Sequence, residues 1–83
     1  MTGVKRSPHY GELQVIVDKL FRDKKLANSL EALVLAESYD LPEDLIEVVE
    51  LLPPGTYTRQ RFCDQLNSII NGHAWGLVYG TVE

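Results

Sequence analysis

The sequence predicts a mainly α fold: a compact domain of four helices closed by a short C-terminal β element, a small two-stranded sheet. Three observations lead there. Apolar residues recur at helical spacing in four stretches, and capping or breaking residues separate those stretches. After His73 the pattern changes to a run rich in aromatic and β-branched residues, with glycines at 76 and 80. A chain of 83 residues is one small globular domain, near the size at which burial of a core just suffices. Residues 1–8 show no periodicity and are expected to lack fixed structure.

The first helix is expected over about 11–24. Leu13, Ile16, Val17 and Leu20 form an i, i+3, i+4, i+7 stripe with Phe21 beside it, while Gln14, Asp18, Arg22 and Lys25 fall opposite. Asn28 and Glu31 then have the form of a capping box, which opens a second helix to about residue 39. This helix is apolar over a wide arc: Leu30, Leu33 and Val34 on one side, Ala32, Leu35, Ala36 and Tyr39 on another. Such a helix is expected to be central and packed on two sides.

The third helix is expected to be capped by Asp40, with Glu43 in the box position. Leu41, Leu45, Val48, Val49 and Leu52 form its buried stripe; Glu43, Glu47 and Glu50 lie opposite, flanked by Asp44. Like charges four residues apart repel by a few tenths of a kcal/mol, so this acidic row is a candidate surface for a basic partner.

Pro53, Pro54 and Gly55 end that helix, because proline lacks the amide donor a helix needs. Thr58 is the expected N-cap of the fourth helix, 59–70, whose apolar side is Phe62, Leu66, Ile69 and Ile70, with Cys63 at its edge. Asn71 and Gly72 supply an expected left-handed stop. The run 74–82 is read as a strand, with a bulge at Gly80. Three neighbours can pair its backbone: Thr56, Tyr57 and Thr58 as first choice, Val4 to Ser7, or the same strand of a second copy. Trp75, Leu77 and Tyr79 would share one face of it.

Charge is unevenly spread. Six basic residues face three acidic ones in 1–26; 27–57 holds seven acidic residues and no Lys or Arg; 58–83 is balanced, for a net charge of −4. No stretch approaches the ~20 apolar residues of a membrane span, and the N-terminal region lacks the continuous apolar run of a signal peptide. One cysteine makes no internal disulfide, in keeping with a reducing compartment. A cytoplasmic location is expected.

The inventory of reactive groups is thin. Cys63 and His73 are the one thiol–imidazole pair, but Cys63 borders a buried face and His73 lies beyond the helix stop. His9, His73 and Cys63 show no metal-ligand spacing. Glycines 72, 76 and 80 lack a phosphate-cradling form. Neither metal, cofactor nor enzymatic activity is expected.

Two surfaces remain as candidates. The first is a protein contact through Trp75, Leu77 and Tyr79 together with Glu43, Glu47 and Glu50. Its occupant would be another protein or a second copy of the chain, the domain acting as a small regulatory module. The second is the polar row of the fourth helix, Gln60, Asp64 and Asn67, with Arg59 and Arg61 at its start. Amide side chains with arginine are what a helix uses to read bases in a major groove. The order helix, short strand, helix, strand over 45–83 is similar to part of a winged helix, and that likeness implies DNA binding. The net charge of −4 disfavours it, since phosphate neutralisation demands a basic footprint.

Overall fold

The computed structural model describes residues 9–73 and 79–83. Its elements follow in the order α1 (Glu12–Leu20), β1 (Leu26–Asn28), α2 (Ser29–Ser38), α3 (Glu43–Glu50), β2 (Thr56–Thr58) and α4 (Arg59–Gly72). The mainly α, four-helix reading holds, and so does the presence of a small two-stranded antiparallel sheet. Its place in the chain does not: the sheet pairs two mid-chain strands, with Leu26 opposite Thr58, Ala27 opposite Tyr57 and Asn28 opposite Thr56. Thr56, Tyr57 and Thr58 are a strand as expected, but their neighbour is β1. Among the described residues of the tail, 79–83, there is no strand. Trp75, Leu77 and the rest of 74–78 lie outside the described residues.

Each strand runs directly into a helix, and its last residue is that helix's N-cap. Asn28 Oδ1 accepts from the Glu31 amide at 2.8 Å, and Glu31 Oε1 accepts from the Asn28 amide at 3.0 Å, which completes the expected capping box. Thr58 Oγ1 accepts from the Arg61 amide at 3.3 Å. Both strands bury only the middle residue, Ala27 and Tyr57, so the small side chain lies opposite the large one. The pair therefore sets the starting points of α2 and α4 side by side.

Phe62, fully buried, anchors the core. Phe21 and Tyr57 meet it edge-on, with ring centroids 5.5 and 6.0 Å away, the geometry the ring quadrupole favours. Leu13, Ile16, Val17 and Leu20 of α1, Leu45, Val48 and Val49 of α3, and Leu66 and Ile70 of α4 complete it, as their spacing predicts. Tyr57 also donates its hydroxyl to the carbonyl of Pro53, fixing the turn that leads into β2.

Three boundaries and the burial of one helix differ from the sequence expectation. Helix α1 stops at Leu20 because the chain must turn within residues 21–25 to reach β1. The N-cap of α3 is Pro42, not Asp40: the Pro42 carbonyl accepts from Leu45 and Ile46, while Asp40 sits in the left-handed region at φ 52°. Gly72 continues α4 rather than ending it, and His73 is the C-cap. Finally, α2 does pack against both α1 and α3, but it is not buried round its girth. Only Ala32 and Ala36 of α2 are fully buried, while Leu30 and Val34 are exposed.

The tail closes the molecule. The Gly11 amide donates to the Tyr79 carbonyl at 3.0 Å, and Tyr79 and Val82 are buried. Gly80 has φ 85°, and a Cβ there would lie 3.3 Å from the Tyr10 ring. Backbone conformation and close approach both demand glycine at that position.

Candidate functional site

Two surfaces stand out, one polar and one apolar. The polar one is the exposed face of α4, expected from the spacing of its amides. Arg59, Gln60, Asp64 and Asn67 line an open cleft of about 460 Å³ together with Cys63, Val82 and Glu83. The tail forms one wall of this cleft, held in place by side chains. Asn67 Nδ2 donates to the Val82 carbonyl and Asn67 Oδ1 accepts from the Val82 amide, both at 2.8 Å. Gln14 on α1 repeats the arrangement one residue on, donating to the Glu83 carbonyl at 2.8 Å and accepting from its amide at 2.9 Å. Arg59 Nη2 donates to the same carbonyl at 2.8 Å and to Asp18 Oδ1 at 2.5 Å.

A carboxamide carries one acceptor and one donor side by side, like a peptide group. Gln14 and Asn67 thus supply the backbone neighbour that the sequence reading assigned to a strand. Of the five residues considered for nucleic-acid contact, Arg59 and Asn67 are engaged with the tail; Gln60, Arg61 and Asp64 are exposed.

Electrostatics follow from these contacts. Hydrogen bonds from Gln14 and then Arg59 hold the Asp18 carboxyl below its ordinary range. Burial pushes the Cys63 thiol up, away from the thiolate that nucleophilic chemistry needs. Cys63 and His73 do not form a pair. They are ten positions apart, roughly 15 Å along the axis at the α-helical rise, and His73 is exposed at the helix end. Among the described residues no group of three His, Cys, Asp or Glu is placed to hold a metal ion.

Of the residues considered for protein contact, Glu43, Glu47 and Glu50 are exposed on α3. Tyr79 is buried, its hydroxyl donating to Asp44 Oδ2 at 3.1 Å; desolvation first, and that carboxylate second, raise its pKa. It covers the helices rather than facing solvent. Trp75 and Leu77 lie outside the described residues.

The apolar surface is one that the sequence reading placed inside. Leu26, Leu30 and Val34 are 54%, 66% and 58% exposed. At 100° per residue, Leu30 and Val34 stand on the far side of α2 from Ala32 and Ala36. Beside this stripe runs an open groove of about 510 Å³ between α1 and α2. Leu20, Leu30, Val34 and Leu35 form its apolar lining, and Lys19, Lys24 and Glu31 are the charged groups that line it.

No family model, curated protein or solved structure matches this chain. Function therefore rests on these two surfaces. No helix among the described residues is long and apolar enough to cross a membrane. Lys24 pairs with Glu31 across the groove wall, and the Glu31 carboxyl is held below its ordinary range by Lys24 first and by the Asn28 amide second. Lys19 and Lys25 make no ion pair among the described residues, and nor does Glu37. The signal that would have placed α2 correctly is its alanines. Small residues at i and i+4 mark the side where neighbouring backbones come close, so the large residues opposite face out.

Proposed function

We propose that this chain is a small protein-contact module of regulatory type, working through the outward face of β1 and α2. The observation that carries the reading is the exposure of Leu30 and Val34 one turn apart on a well-capped helix, with Leu26 exposed on the strand that leads into it. Exposed apolar residues scattered singly need no explanation, but neighbouring ones beside a groove lined in part by charged groups have the form of a recognition surface. Nucleic acid suits the molecule less well. The net charge is −4, α3 presents only acidic charge, and Arg59 and Asn67 already hold the tail. A single buried thiol fits a reducing compartment, and the cytoplasm is the setting we propose.

Site-specific photo-crosslinking in cells tests the reading. A photoreactive residue at position 30 is expected to give discrete protein adducts, whereas one at the exposed polar position 68 on α4 gives none. Absence of adducts from position 30, with the variant folded, overturns it.

A further inference from the structure

We infer that the occupant of the α2 face is a second copy of this chain, its α2 lying antiparallel to the first across a two-fold axis between Leu30 and Val34. This deepens the reading above and rests on it.

Charge is complementary along the helix. Helix α2 contains Glu31 and Glu37 and no basic residue. Lys24 and Lys25 precede it, and Lys19 lines the groove. Lys24 is already paired with Glu31 in the first turn, so the uncommitted charges are Lys19 and Lys25 before α2 and Glu37 near its end. Glu37 lies seven residues after Leu30, two helical turns on, so it shares the exposed face. In an antiparallel pair the acidic end of one helix meets the basic start of the other, so Glu37 faces Lys25 of the second copy twice over. A parallel pair would set like against like.

The face is also self-complementary in shape. A two-fold contact uses the same patch on both subunits. The groove between α1 and α2, apolar apart from the Lys24–Glu31 pair and Lys19, suits an apolar helix with large side chains one turn apart and an acid beside them. The chain presents that very helix, since Leu30 and Val34 form one wall of the groove and project from its edge. Reciprocal docking places Leu30 of each copy against Val34 of the other. A contact confined to one ten-residue helix and its flanks should bury less than the ~800 Å² per partner of a standard interface. Monomer and dimer should therefore exchange, as small transient interfaces do.

Sedimentation equilibrium of the full chain from about 5 µM to about 1 mM reads the association by mass action. Monomer at low and dimer at high concentration is the expected result. Leu30→Asp and Val34→Asp change exposed positions, should keep the wild-type circular dichroism spectrum, and should abolish the dimer. Glu37→Lys alone and Lys25→Glu alone should each weaken association by about three- to tenfold, since each brings like charges together twice. The double variant, Lys25→Glu with Glu37→Lys, should return it towards wild type. A folded chain that stays monomeric throughout overturns the proposal, as does a dimer indifferent to Leu30→Asp or a double variant no tighter than the singles. Adducts from position 30 with some other protein, beside a monomeric chain, overturn this proposal and leave the contact-module reading standing.

Discussion

The carboxamide of Asn67 presents an acceptor and a donor at the spacing of a peptide group, and the backbone of Val82 takes both at 2.8 Å. A single side chain thereby does the work of a flanking strand, and Gln14 does the same for Glu83. The polar row on α4 was legible in the sequence; that it holds the chain's own tail was not, since sequence spacing identifies a face but not its occupant. Replacement shows what the grip is worth. Asn67→Ala removes two hydrogen bonds of about 1 kcal/mol each, which should let residues 82–83 lift from the cleft that Cys63 also lines. The reaction of Cys63 with a disulfide reagent at mildly alkaline pH is then expected to accelerate by roughly 30-fold, because that local opening becomes about 2 kcal/mol easier. An unchanged rate would mean that the thiol is shielded by something other than the tail.

At the scale of elements, the starts of α2 and α4 were readable, whereas that of α3 and the strand partners were not. A cap is a local event: Asn28 and Glu31 are three residues apart, and their reciprocal bonds need nothing distant. Pairing of β1 with β2 joins residues about thirty positions apart, and three residues carry too little alternation to announce it. The tail misled for the opposite reason. Its valine- and tyrosine-rich composition suggests a strand, whereas the described part is tethered by amides and turns through Gly80 at φ 85°. Helix α2 shows the limit of periodicity, which groups residues by face without saying which face points in. Ala32 and Ala36 carried that information. The two caps can be ranked. Asn28→Ala breaks a reciprocal box with a 2.8 Å bond, Thr58→Ala a single bond of 3.3 Å. Within the usual range of about 0.5–2 kcal/mol for cap removal, Asn28→Ala should cost more. Urea denaturation midpoints of the two variants measure the order, and an equal or reversed ranking refutes it.

For the whole molecule, the ion pairs stitch distant parts together. Asp18 of α1 and Arg59 of α4 are forty-one positions apart, and Lys24 reaches Glu31 across the entry to α2. Both carboxyls have folded pKa values below their unfolded ones of about 3.9 and 4.3. Their stabilisation is therefore fully present above the unfolded values and is lost as pH falls through the folded ones. The melting temperature should drop on acidification below about pH 4. Asp18→Asn should melt lower than wild type near neutral pH but lose less on acidification, so the two curves converge. Parallel curves would show that Asp18 contributes nothing to the acid response.

The closure between Gly11 and Tyr79, with Gln14 and Glu83 beside it, has a mechanical consequence. Tension applied to the polypeptide outside these positions is met first by a few hydrogen bonds at the seam and only later by the aromatic core. Force should peel the C-terminal strap from α1 and α4 before β1 and β2 part, and so uncover the Asn67 cleft while the rest of the globule is still intact.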